Sequence, residues 1–163
     1  MNKALIQAQL AFQEKEVPVG CVFVDSSNNK IIAKGRNQTN KKKIGISHAE
    51  LECIEQILES KIIEKSDFKK IIVYVTCEPC IMCASALRLL GVKKVYFGCA
   101  NDHFGGCGSV LNINQNISII HGFPYKAIGG ILEKECIEIL HQFYLFENEN
   151  CDIEKRKKKN KVK

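Results

Sequence analysis

The spacing of hydrophobic and polar residues changes along the chain, and each change marks a predicted helix or strand. An amphipathic helix is predicted over residues 3–15, where apolar side chains recur on one face. Short apolar runs bounded by turn-forming residues predict five strands, at residues 21–24, 30–34, 71–76, 95–98 and 125–128. Helical spacing also predicts three further helices, at about 48–60, from 80 to a stop at Gly91, and at about 132–146.

The order of these elements predicts an α/β fold. Residues 71–76 are nearly all apolar, which is typical of a strand buried on both faces in the middle of a sheet. A helix and then the strand at 95–98 follow, so the three elements form a βαβ unit with parallel strands. Open α/β sheets usually bind ligands at the carboxyl ends of their strands, so a functional site is expected directly after residue 76.

Length and composition are those of a single globular domain. The chain has 163 residues, of which 45% are hydrophobic and 26% are charged. We place the domain at residues 1–150. The apolar runs are too short for a membrane-spanning helix, and the N-terminus resembles an amphipathic helix more than a signal peptide. We therefore expect an intracellular protein in the cytoplasm, the nucleus or both, without membrane association.

The positive charge is concentrated at the end of the chain. The net charge is +6, but residues 155–163 alone carry +7 and leave residues 1–154 at −1. This charge comes from Lys155, Arg156, Lys157, Lys158, Lys159, Lys161 and Lys163. A block of like charges cannot bury itself, so residues 151–163 are predicted to be a disordered basic tail.

Cysteine usage indicates a metal site and not a disulfide framework. The nine cysteines are an odd number, and we expect no secretory segment, given the amphipathic N-terminus. Cys80 and Cys83 are three residues apart in a predicted first helical turn, with Pro79 expected at its first position. The positive end of the helix dipole favours thiolates there. Cysteines in apolar segments are predicted to be small buried side chains: Cys21, Cys53, Cys99 and Cys136.

His48 is the candidate for the third ligand, because two thiolates do not close a zinc site. Glu50 follows it by two residues, and the chain thus contains H-x-E…P-C-x-x-C, the signature of zinc-dependent base deaminases. Residues two apart in a regular helix point in nearly opposite directions. His48 must therefore lie before the regular helix if its side chain and that of Glu50 are to face one metal.

One imidazole and two thiolates suit Zn²⁺ and leave a fourth position for water. Because two thiolates offset the charge of the ion, such a site polarises water less than a three-histidine site does, and it needs a nearby base. We expect Glu50 to take a proton from the water that attacks the ring carbon bearing the amino group. Glu50 then returns the proton to the ring nitrogen and helps ammonia to leave.

Other interpretations of these cysteines remain open from the residues alone. A C-x-x-C pair is often half of a structural zinc site or a redox pair. Cys77 extends the pattern to C-x-x-C-x-x-C, so a structural Cys₃His site is an alternative. We expect Cys77 to end the third strand and to face away from the metal.

With these residues identified, the sequence resembles the tRNA adenosine deaminases that form inosine at the wobble position of the anticodon. It is most similar to catalytic subunits of the eukaryotic heterodimeric enzymes. The resemblance covers nearly the whole chain and rests on VPVGCVFV, KGRN, HAE, TCEPCIMCASALR, VYFGC and FGGCGSVLNI. Cys77 stands where this family usually has an apolar residue.

The resemblance implies a three-layer α/β/α cytidine-deaminase-like fold, with a five-stranded mixed sheet flanked by helices. It implies His48, Cys80 and Cys83 as zinc ligands, Glu50 as the proton shuttle, and Asn37 beside the flipped base. It also implies the tRNA anticodon loop as substrate. The implied partner is a related, non-catalytic deaminase-like subunit in a heterodimer, while a homodimer of the chain alone stays open.

Two other functions are compatible with the same motifs. One is a deaminase of free cytidine, deoxycytidylate or guanine, and the other is a non-catalytic RNA-binding subunit with structural zinc. The basic tail favours an RNA substrate, because its lysines attract phosphates. A solubilising or nuclear-targeting role is the alternative for the tail.

Overall fold

The computed structural model describes residues 1–61, 63–115 and 121–145. The helices are α1 (Asn2–Gln13), α2 (Thr39–Lys42), α3 (Ala49–Ser60), α4 (Ile81–Leu90) and α5 (Glu133–Leu145), with a 3₁₀ helix at Lys65–Lys70. The strands are β1 (Gly20–Asp25), β2 (Lys30–Arg36), β3 (Ile71–Cys77), β4 (Lys94–Cys99) and β5 (Lys126–Ile128). The predicted tail and its boundary at residue 150 lie outside the described residues.

The five strands form one mixed sheet in the order β2-β1-β3-β4-β5. β1 is antiparallel to both β2 and β3, whereas β3, β4 and β5 are parallel to one another. β3 lies in the middle of the sheet, as its apolar sequence predicted. With α4 between β3 and β4, the predicted βαβ unit is confirmed, and so is the α/β fold class.

Helices cover both faces of this sheet. α1 and α5 contact each other on one face, and α3 and α4 contact each other on the opposite face. The contact between α3 and β2 is very close, because a Cβ added to Gly35 would lie 2.3 Å from the carbonyl oxygen of Ala49. The first turn of α3, which follows His48, is therefore fixed directly on the sheet.

The main hydrophobic core lies between the sheet and the α3–α4 layer. Alternate residues of β1 and β3 point into it, and full burial of one such side chain is worth about 1.5–3 kcal/mol. Its members include Cys21, Phe23, Ile57, Ile71, Val73, Val75, Leu87 and Val95. The four cysteines predicted to be buried are all buried: Cys21, Cys53, Cys99 and Cys136.

The start of α4 differs from the prediction. The helix begins at Ile81 and Cys80 is its N-cap, so the expected first helical position for Pro79 is wrong. Cys80 keeps an extended backbone (φ −64°, ψ 168°) and forms an antiparallel bridge with Gly105. With Cys80 held extended by this long-range pairing, the helix starts one residue after the predicted residue 80 and two residues after Pro79.

Among the described residues, we find no helix with both the length and the hydrophobicity needed to cross a bilayer.

Candidate active site

His48 lies where the sequence required it, immediately before α3. It is the N-cap residue and has extended dihedral angles (φ −80°, ψ 155°). Because the regular helix begins only at Ala49, His48 and Glu50 can face the same side, and both line one cavity. The geometric condition for a shared site is met.

Cys80 and Cys83 reach the same point from the start of α4. The Sγ atom of each lies 3.6 Å from Nδ1 of His48. All three potential ligand atoms lie within 4.8 Å of one another. Tetrahedral Zn²⁺ with ordinary Zn–N and Zn–S bonds would separate the nitrogen from each sulfur by about 3.6 Å. The three side chains therefore fit a zinc ion.

The two thiols of this cluster differ in acidity. A hydrogen bond from Cys83, together with the neighbouring His48, lowers the pKa of Cys80 to about 4. The same contact between the cysteines and burial raise the pKa of Cys83 well above its usual value. Cys80 is therefore a thiolate at neutral pH, and its place at the N-terminus of α4 suits a negative charge.

Cys77 is not part of this cluster. It is the last residue of β3 and lies opposite Cys99 on β4. A hydrogen bond with Cys99 raises the pKa of the Cys77 thiol above its usual range. Cys77 lines the cavity, but the potential metal ligands grouped among the described residues are His48, Cys80 and Cys83. The geometry therefore favours the site with an open position over the Cys₃His alternative.

Glu50 is the buried acid of the site, with only 4% of its surface exposed. Burial raises its pKa to about 7, and the Cys80 thiolate contributes in the same direction. A carboxyl group with a pKa near neutrality can both accept and donate a proton. The environment of Glu50 thus suits the shuttle predicted from the sequence.

Asn37 follows β2 directly, and its side chain contacts the start of α3 and lines the cavity. Its Oδ1 atom accepts a hydrogen bond from the backbone N–H of Ala49 (3.2 Å), and the side chain is buried. The carbonyl oxygen is used in this bond, which leaves the Nδ2 group as the donor for a ligand. Contact between Asn37 and a base stays a prediction.

The cavity around these groups has a volume of about 960 Å³. This volume is at the upper end of the range for small-molecule pockets, about 300–1,000 Å³. Sequence reasoning missed several wall residues, since they come from the loop after β4 and from α5: Ala100, Asn101, Asp102, His103, Phe104, Leu140 and Tyr144. No local pattern indicated that α5 reaches this cavity.

Comparison with known proteins identifies the family of the chain. Residues 1–99 match the model of the cytidine and deoxycytidylate deaminase zinc-binding region. The chain belongs to this zinc-binding deaminase family. Zn²⁺ is accordingly the cofactor, and the cluster of one histidine and two cysteines fits it.

Two relatives are similar to nearly the whole chain. The chain is 45% identical over 163 residues to tRNA-specific adenosine deaminase 2 of Xenopus laevis, covering 98% of this chain and 92% of the relative. It is 44% identical over 163 residues to tRNA-specific adenosine deaminase subunit tad2 of Schizosaccharomyces pombe, covering 100% of this chain but 41% of that protein.

A solved structure has the same fold. It comes from work on A-to-I editing by tRNA:A34 deaminases at the wobble position of transfer RNA. The TM-score is 0.76 at 30% identity, with 86% of this chain and 97% of that chain covered. The predicted three-layer cytidine-deaminase-like fold is thereby confirmed.

Proposed function

We propose that the chain is a hydrolase that converts adenosine to inosine at the wobble position of tRNA anticodons. One observation carries the proposal: the ligand atoms of His48, Cys80 and Cys83 converge, and His48 and Cys80 line one cavity together with the buried Glu50. Relatives named as tRNA-specific adenosine deaminases support the choice of adenosine in tRNA over a free base.

His48, Cys80 and Cys83 would hold the zinc ion, which lowers the pKa of a water molecule at its open position when bound. Glu50 accepts a proton from the attacking water, because its carboxyl lies beside this cluster with a pKa near neutrality. Glu50 then gives the proton to the ring nitrogen and assists the departure of ammonia. Asn37 orients the base through its Nδ2 donor.

The cavity suits a nucleotide that has left the stack of an RNA loop. Bases of an anticodon loop can splay outward with little unpairing, so the target adenine is reachable. Phe104 and Tyr144 line the cavity and are 66% and 65% exposed. Exposed aromatic rings can stack on unpaired bases, and these two therefore favour an RNA loop over a free nucleobase.

The basic tail follows an element that reaches the cavity. Leu140 and Tyr144 of α5 line it, and Leu145 is the last residue that the structure describes. Residues 146–154 can span at most about 30 Å when extended. We therefore propose that the cationic residues at 155–163 contact phosphates of the bound tRNA.

Deletion of residues 155–163 is expected to weaken tRNA binding and to flatten its dependence on salt. Each lysine–phosphate contact on a single strand contributes a slope of about 0.7 log units per decade of salt. Binding isotherms between about 50 and 200 mM salt measure the slope. A tail with the same residues in shuffled order should retain the affinity, whereas an unchanged affinity of the deletion variant at low salt would exclude the contact.

We also propose a partner subunit of related fold that lacks the catalytic glutamate. The word subunit in the name of the fission-yeast relative supports an assembly. Inosine formation by the chain with and without such a partner tests this proposal, and activity of the chain alone as a homodimer would contradict it. Residence in the cytoplasm or nucleus stays a prediction.

A further inference from the structure

We propose that Glu78 is a positioning residue, and that its carboxylate holds loop 100–109 as one wall of the substrate cavity. Loop 100–109 is the segment of residues 100–109 that directly follows β4. Sequence reasoning gave Glu78 no role. The substrate in this inference rests on the proposed function. The positioning role of Glu78 rests on hydrogen bonds within the chain.

Four hydrogen-bond donors of the loop converge on the carboxylate of Glu78, a residue that is only 2% exposed. Oε1 accepts bonds from the backbone N–H groups of Cys107 (2.9 Å) and Ser109 (3.1 Å). Oε2 accepts bonds from the backbone N–H of Asn101 (3.0 Å) and from the hydroxyl of Ser109. Both ends of the loop are therefore tied to a single side chain.

The same loop is joined to the turn that carries the cysteine ligands. Gly105 pairs with Cys80 in an antiparallel bridge, and the backbone N–H of Ile81 donates to the carbonyl oxygen of Phe104 (2.9 Å). Glu78 precedes Cys80 by two residues on that turn. Since residues 100–104 line the cavity, the substrate wall and the ligand turn are held together as one unit.

Gly105 shows how closely the loop packs on Glu78. An added Cβ would lie 2.7 Å from the Glu78 carboxylate and 2.7 Å from the carbonyl oxygen of Asn101. A larger residue at position 105 would push the carboxylate and the loop apart. The close contact with Glu78 therefore requires glycine at position 105, the first glycine of the FGG segment.

An amide cannot replace the carboxylate without loss. An ionised carboxylate only accepts hydrogen bonds, whereas the NH₂ group of glutamine only donates them. In either orientation, the glutamine NH₂ would face at least one backbone N–H of the loop. Glu78→Gln therefore keeps the size of the side chain but leaves buried donors without an acceptor.

Glu78 does not belong to the group of potential metal ligands found among the described residues. Glu78→Gln is therefore expected to leave zinc content unchanged while raising KM. With the full-length chain and its partner subunit, we expect KM for a tRNA anticodon stem-loop to rise by at least about 10-fold and kcat to change by less than about 3-fold. Ser109→Ala removes one of the four bonds and should raise KM less.

Glu135→Gln on α5 is the matched control, since Glu135 is exposed and lies away from the cavity. This variant should keep both KM and kcat. Zinc released by Glu78→Gln, or a lower kcat with an unchanged KM, would overturn the positioning role.

Amide hydrogen exchange provides a readout that does not depend on the reaction. In the wild-type chain, the amides of Asn101, Cys107 and Ser109 should exchange slowly, and Glu78→Gln should accelerate them while leaving amides within α3 unchanged. Unchanged exchange at these three amides would overturn the inference. If the wild-type chain forms no inosine, the proposed function fails, and loop exchange still decides the role of Glu78.

Discussion

Replacing Glu50 by alanine or glutamine is expected to lower inosine formation by about 10²–10⁴-fold while about one zinc ion per chain remains bound. The carboxyl is buried beside His48 and Cys80 and has a pKa of about 7, so both substitutions remove the group that moves the proton. They leave the side chains of His48, Cys80 and Cys83 in place. Single-turnover assays on tRNA and metal analysis of the same samples measure the two quantities.

Glu59→Gln is the matched control, because Glu59 is an exposed acid on the same helix, α3. It should keep full activity and full zinc content. Loss of zinc from the Glu50 variants would show that Glu50 is a ligand and not a proton shuttle.

Replacing His48 or Cys83 is expected to lower inosine formation as strongly as replacing Glu50, but through loss of zinc. Cys83→Ala or His48→Ala leaves only two of the three convergent ligand atoms, so zinc content should fall well below one per chain. Inosine formation should then be undetectable in both variants. Chelation of the wild-type protein should also abolish activity, and added Zn²⁺ should restore it.

Cys77→Ser distinguishes the two sulfur arrangements considered for this chain. Cys77 lies opposite Cys99 and outside the cluster, so this variant should keep its zinc. Zinc loss from Cys77→Ser, with full zinc in Cys83→Ala, would instead support a structural site that uses Cys77.

The sheet was predictable because its strands have strong local signals. β3 is almost continuously apolar and lies in the centre, and it pairs in parallel with β4 as the predicted βαβ unit requires. The start of α4 was not predictable in the same way. Pro79 favours a helix start, but the pairing of Cys80 with Gly105 keeps the backbone extended and moves the first helical residue to Ile81.

The convergence of His48, Cys80 and Cys83 was predictable because the spacing of the motifs carries geometric information. The H-x-E motif required His48 to precede the regular helix, and the structure meets this requirement. Asn37 came only from the resemblance to a family, and its bond to the backbone of Ala49 had no local signal.

The cavity wall was not predictable from sequence spacing. Glu78 binds loop residues 23 to 31 positions away, and α5 brings Tyr144 to the cavity from the far end of the chain. Contacts of this kind depend on how the layers pack.

Product analysis with tRNA and with free compounds distinguishes the candidate reactions. Zinc-loaded full-length chain and its partner subunit are incubated with tRNA that carries adenosine at the wobble position, and separately with free guanine, cytidine and deoxycytidylate. Mass spectrometry of digested tRNA detects inosine, and ammonia release reports turnover of the free compounds. We expect inosine at the wobble position and negligible ammonia from the free compounds. Rapid ammonia release from a free compound, with the tRNA unchanged, would contradict it.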